Sequence, residues 1–229
     1  VSESLKRDTL KYFNITKDID VVHNFIDTEK FSPSFTDCQR ELMAETDEKI
    51  ITHISNLRPV KRIQDVIQVF FRIQKDIKSK LLIVGEGPER EQAEKTCEQL
   101  GIKDKVIFLG QSNEIDKILC FSDLFLLPSE AESFGLAALE AMVNAVPVIS
   151  SNAGGIPEVN IHGESGYLSD VGDIDDMAQN AISILNDETV LENFKTQAKE
   201  VAKRFDIEKI VPQYETLYEK AALQLADNH

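Results

Sequence analysis

Leu124-Phe-Leu-Leu-Pro128, followed by Glu132-Ser-Phe-Gly-Leu-Ala-Ala-Leu-Glu140, decides how this chain is read. Four consecutive apolar residues stopped by a proline are the pattern of a strand buried on both faces. The run after Glu132 keeps good helix formers to about Asn144. A strand that passes into a helix through Ser133, Phe134 and Gly135 leaves the first helical amides without carbonyl partners. Those amides, at the positive end of the helix dipole, favour an anion such as a phosphate. The amides of Gly135 and Leu136 are placed to do this, because Gly135 has no side chain to hold a ligand away. Glu132 lies just before the helix and Glu140 about six residues inside it, roughly 9 Å along the axis. Each carboxylate accepts two hydroxyl bonds, so one suits a sugar and the other a ribose, on either side of a diphosphate. On spacing alone, solvated helix charges are the better reading. The context adds a second glycine turn, Gly154-Gly155-Ile-Pro-Glu158, after the strand pattern Pro147-Val-Ile-Ser-Ser151. Both turns then fall at the carboxyl ends of strands, where ligands of open α/β sheets sit.

Outward from this stretch, strands and helices alternate. Strands are expected over 49–55, 80–84, 105–109, 124–127, 146–150 and 167–168. Helices are expected over 63–77, 89–100, 114–121, 156–161, 174–186, 188–204 and 207–225. Ile63, Val66, Ile67, Phe70, Phe71 and Ile73 form the apolar stripe of the first of these, and Gly101 ends the second as a C′ glycine. Ahead of them, Ser2 or Ser4 would cap a helix through Phe13, followed by a strand at 19–22. Continuous apolar strands between helices mean an α/β fold, a doubly wound parallel (Rossmann-like) sheet covered on both faces.

The composition is that of an ordinary globule, with 42% hydrophobic and 28% charged residues. A net charge of −15 argues against nucleic acid and anionic membrane as partners. An anionic ligand must therefore be drawn by local charge. Cys38, Cys97 and Cys120 lie far apart, without metal spacing, and read as reduced thiols of a cytoplasmic protein. Neither a signal peptide nor an apolar run near 18 residues is present, so no membrane span is expected. His23, His53, His162 and His229 form no ligand spacing, and His53, in a strand, reads as a packed core residue. Asp18-Ile-Asp20 and Asp173-Ile-Asp175 imitate an acidic metal motif, but Asp173 precedes a helix and reads as its N-cap. No metal and no cofactor are expected. Gly85-Glu-Gly87-Pro88 begins like a dinucleotide fingerprint, yet Arg90 fills the third glycine position, so it reads as a tight turn near a nucleotide.

The run Ser129-Glu-Ala-Glu-Ser-Phe-Gly-Leu-Ala-Ala-Leu-Glu-Ala-Met142, with Pro147-Val and Gly154-Gly-Ile-Pro-Glu158, resembles the family-four retaining glycosyltransferases of GT-B fold. Ser55-Asn-Leu-Arg-Pro-Val-Lys-Arg62, Val84-Gly-Glu-Gly-Pro88 and His162-Gly-Glu-Ser-Gly-Tyr-Leu168 fit the same family in the same order. The resemblance implies the carboxy-terminal, donor-binding half of a two-domain enzyme whose missing amino-terminal domain would carry the acceptor site. Residues 1–23 would close that domain and form the hinge, 24–205 would bind the nucleotide sugar, and 206–229 would cross back. The member it most resembles moves N-acetylglucosamine from UDP-N-acetylglucosamine to L-malate, in the first step of bacillithiol synthesis.

The family pattern also implies the residue roles. Arg58 and Lys61 would neutralise the departing diphosphate, and Glu132 would hold the sugar. Glu140 would hold the ribose, with Ser133, Phe134, Gly135 and Leu136 around the phosphates. Gly85, Gly110 and Gln111 would meet the nucleotide, the last two at the uracil edge. Asn56 stands where many relatives carry arginine, and Arg58 is the guanidinium that would replace it. A homo-oligomer is compatible with the resemblance. Two alternatives stand: a family member with another sugar or acceptor, and a non-catalytic interaction domain of the same fold.

Overall fold

The apolar runs pair as their continuity requires. The computed structural model describes residues 1–31, 38 and 40–226. Six strands, β1 (Lys49–Ile54), β2 (Ser79–Val84), β3 (Val106–Gly110), β4 (Leu124–Leu127), β5 (Val148–Ser151) and β6 (Gly166–Ser169), form one sheet in the order β3-β2-β1-β4-β5-β6. Every neighbouring pair is parallel. Around it lie α1 (Glu3–Tyr12), α2 (Ile63–Ile73), α3 (Arg90–Gln99), α4 (Ile115–Leu119), α5 (Leu136–Val143), α6 (Ile156–Val159), α7 (Ile174–Leu185), α8 (Glu188–Ala202) and α9 (Ile207–Ala226).

Alternate strand residues feed opposite faces. Ile51, Leu81, Ile83, Leu124 and Leu126 pack with Val66, Phe70, Ala181 and Ile184 of α2 and α7. Phe125, Leu127 and Val148 pack with Leu139, Met142 and Val201 of α5 and α8. A doubly wound sheet covered on both faces is what the sequence predicts. The strand order runs outward from β1 to β2 and β3 on one side, and from β4 to β5 and β6 on the other. The strand order reverses between β1 and β4, and in open α/β sheets ligands sit outside the carboxyl ends of the strands at such a point.

Three expectations are corrected. Residues 19–22 form no strand and pair with none of the six strands of the sheet. That segment is fastened instead by Ile26, which bridges to Asp206, and by the Tyr214 hydroxyl, which donates to the Val22 and His23 carbonyls at 3.3 Å. Helix α2 ends at Ile73, and the turn after it still brings Ile77 into the core. Cys38 and Cys120 are not separate thiols but a disulfide across 82 residues of sequence, which no local spacing could signal. Cys97 is free and buried, its thiol pushed up to about 11 by desolvation. His229 lies outside the described residues.

Candidate functional site

The turn after β1 is built from a buried relay. His53 is 0% exposed on β1, with Nδ1 2.8 Å from the Leu126 carbonyl and Nε2 2.8 Å from the Ser55 hydroxyl. A carbonyl only accepts, so Nδ1 carries the proton and Nε2 accepts from Ser55. The Ser55 oxygen in turn accepts the Leu57 amide at 3.2 Å. Burial, with the nearby Lys61 charge, lowers the His53 pKa to about 4, so the ring is neutral and the relay keeps one direction. It ends on Leu57, a fully buried residue at φ 40, a backbone geometry that side chains rarely adopt. Arg58 and Lys61 follow directly. Arg58 is exposed, and its guanidinium makes no hydrogen bond or ion pair with any described residue.

The turn after β4 is tied to the first. The Glu130 amide donates to the Val60 carbonyl at 2.9 Å, and the Lys61 ammonium pairs with the Glu132 carboxylate. Ser129, itself buried, donates its hydroxyl to the same Glu132 oxygen at 3.1 Å. From the far side, the Gly155 amide donates to the Glu132 carbonyl at 2.8 Å. A Cβ at Gly154 would lie 2.1 Å from that carbonyl oxygen, so the glycine turn after β5 is a backbone support for Glu132.

Gly135 caps α5 at φ 105, a conformation that suits glycine, and exposed Leu136 begins the helix. The first-turn amides have no carbonyl behind them within the helix, as the sequence predicts. Ser133 is exposed beside them, whereas the Phe134 side chain is core, 5.5 Å from the Phe205 ring. Glu140 is the fifth residue of α5, about 6 Å beyond Leu136, nearer than the roughly 9 Å the sequence suggests, because the helix begins later. Its carboxylate is half-buried, with no hydrogen bond or ion pair to any described residue, and desolvation raises its pKa.

Gly85 and Gly110 close the ends of β2 and β3, the Gly85 amide donating to the Gly110 carbonyl at 2.7 Å. A Cβ at Gly85 would lie 1.8 Å from the Ser55 carbonyl oxygen, so the β2 turn presses on the β1 turn. Gln111 is exposed. Arg90 pairs with Glu86 and lies over the Phe108 ring at 5.5 Å, bracing this corner.

The structure thus joins Lys61 to Glu132, and places Gly135, Leu136 and Glu140 on the helix that follows Glu132 in the chain. It leaves Gly85, Gly110 and Gln111 one and two strands away. Asp173 caps α7 through the Asp176 amide at 3.0 Å, as its position predicts, and Asp175 pairs with Arg72. Sequence reading gave no role to Ser129, and it missed the His53–Ser55 relay, in which a strand histidine meets the serine that follows its strand. It also missed a role for Glu158. That carboxylate accepts the Glu3 and Ser4 amides at 2.8 Å each and meets His23 Nε2 at 3.0 Å, anchoring the start of α1. The Ser2 hydroxyl donates to the Ser133 carbonyl at 2.6 Å alongside.

Known proteins share this fold. The chain is 46% identical over 220 residues to the N-acetyl-alpha-D-glucosaminyl L-malate synthase of Bacillus anthracis, covering 95% of this chain and 58% of that relative. The chain thus spans a little over half the length of that relative. Among solved structures, Anabaena HepE in complex with UDP and glucose superposes with TM-score 0.88 at 24% identity, over 95% of this chain and 62% of that one. Staphylococcus aureus TarM, in a complex containing alpha-GlcNAc-glycerol and UDP, gives TM-score 0.83 at 27% identity, over 95% of this chain and 43% of its own. The family model described as "Glycosyl transferases group 1" matches residues 35–201. A six-stranded parallel sheet, a glycine-capped helix with flanking glutamates and that match over most of the chain lead to one assignment: the chain belongs to the group 1 glycosyltransferases.

Proposed function

We propose that this chain is the donor-binding half of a retaining glycosyltransferase that moves N-acetylglucosamine from UDP-N-acetylglucosamine to L-malate in a longer protein. The observation that carries the reading is Glu140. A half-buried carboxylate without a partner among the described residues, just inside a helix that begins at a glycine cap, is costly to the fold unless a ligand uses it. Ribose hydroxyls would do so. Glu132 takes the sugar hydroxyls, while Arg58, Lys61 and the Gly135 and Leu136 amides take the diphosphate, with Ser133 and the Phe134 backbone beside them. Gly85, Gly110 and Gln111 take the uracil end. As the sugar bond breaks, negative charge grows on the diphosphate, and fixed cations and amides stabilise it. No protein nucleophile is needed if the acceptor attacks the face that the diphosphate leaves and passes its proton to a phosphate oxygen.

The choice of sugar and acceptor rests on the 46% identity to the malate synthase, with the alpha-GlcNAc-glycerol in the TarM complex supporting the sugar. Residues 1–23 and 206–229 belong with the preceding domain in this reading, and 24–205 with the donor site. The isolated chain then lacks its acceptor groups and turns over poorly. The need for a UDP-sugar supports a cytoplasmic location, and the Cys38–Cys120 disulfide speaks against a reducing compartment. Among the described residues, no helix is long and apolar enough to cross a membrane.

Calorimetric titration with UDP, with NAD as control, tests the reading. Binding of UDP alone, lost on Glu140→Ala, is the expected result. A longer protein that also ignores UDP would overturn it.

A further inference from the structure

The contact between Lys61 and Glu132 joins the residue assigned to the diphosphate to the residue assigned to the sugar. Their side chains are 20% and 15% exposed, so the pair is only partly screened by water. Beyond it, Glu132 receives the Ser129 hydroxyl at 3.1 Å. The Glu130–Val60 backbone bond at 2.9 Å holds the two turns together, so the ammonium reaches the carboxylate without any shift of main chain. One ammonium thus serves two anions: an internal one that is always present and a phosphate that comes and goes.

We infer that Glu132 distinguishes a loaded donor from a spent one by competing with the diphosphate for Lys61. This rests on the donor-site reading above. While a sugar is attached, its hydroxyls donate to Glu132 and satisfy the carboxylate, and Lys61 is released to the phosphates. Once the sugar has left, Glu132 loses those donors and recaptures Lys61. The diphosphate is then left without the Lys61 ammonium, and the spent nucleotide loosens. The pair therefore weakens product binding more than substrate binding, and favours release after transfer.

The inference predicts an unusual gain. Glu132→Gln keeps the shape and one hydroxyl-accepting oxygen but removes the competing charge. UDP should bind about five- to tenfold more tightly to this variant, the size expected for one partly exposed ion pair. UDP-N-acetylglucosamine should gain little. Glu132→Ala should also tighten UDP while weakening the sugar nucleotide, which gives a second variant should one fold poorly. On a Lys61→Met background, Glu132→Gln should give no gain, because the shared cation is absent.

Calorimetry of the wild-type chain and these variants with UDP and UDP-N-acetylglucosamine reads all of these effects. If the wild type binds UDP but both Glu132 variants leave its affinity unchanged or weaker, the competition is refuted and the donor site stands. A gain that persists on the Lys61→Met background would also refute it, leaving plain charge repulsion as the cause. If the wild type and a longer protein both ignore UDP, the donor-site reading fails and takes this inference with it.

Discussion

Gly154 sits so close beneath Glu132 that a Cβ on the glycine would lie 2.1 Å from the glutamate's carbonyl oxygen. The turn after β5 therefore fixes where the turn after β4 can stand, and with it the Glu132 carboxylate.

Gly154→Ala should be costly on two counts, since Gly154 is also at φ +57. A destabilisation of about 2–3 kcal/mol is expected from strain and displaced backbone together. Gly101→Ala is the control: it too has positive φ, +69, but nothing lies within 4 Å of its Cβ, so about 1 kcal/mol is expected. Urea unfolding measures both. UDP affinity of the folded proteins should fall for Gly154→Ala and stay level for Gly101→Ala.

Glu140 sets stability against binding. Burial raises its pKa, so the charged form is disfavoured in the fold, and the penalty is present at neutral pH. Glu140→Gln should therefore raise Tm at pH 7. The gain should vanish as pH falls below the ordinary value of 4.5, where the carboxyl is protonated in folded and unfolded chains alike. The same change should weaken UDP binding by about 10- to 100-fold, the size of a lost charged hydrogen bond. Thermal melts at several pH values and one titration decide it.

His53 carries a pH dependence of opposite sense. Its pKa falls from 6.5 to about 4 in the fold, so the unfolded chain binds a proton that the folded chain refuses. Its contribution is complete above pH 6.5 and is lost as the pH falls towards 4, to a total of about 3 kcal/mol. Subtracting the pH–stability curve of His53→Gln from that of the wild type should isolate this slope. Equal slopes for the two proteins would show that the ring does not stay neutral.

The fold was legible wherever apolar runs were continuous. Strand β4 matches its sequence pattern at both ends, because a proline closes it and burial on both faces leaves no ambiguity. The 19–22 segment shows the limit: strand-like residues make a strand only where a sheet edge receives them. In the candidate site, the glutamates and the glycine cap were visible because charged residues and glycine interrupt an apolar pattern. The His53–Ser55–Leu57 relay was not, since a histidine in a strand gives no hint of which groups will face its two nitrogens. The pairing of Lys61 with Glu132, 71 positions apart, depends on β1 and β4 being neighbours, a fact of topology rather than of spacing.

The Cys38–Cys120 bond has a mechanical meaning. It closes a covalent ring around β1, β2, β3 and α4, one half of the sheet, and leaves β4, β5 and β6 in the open chain. Tension applied at the two ends would run through the bond and bypass the ring, so only the open half would be drawn out. The ring's 82-residue span, at about 3.4 Å per residue, would keep roughly 280 Å of contour length out of the stretched molecule.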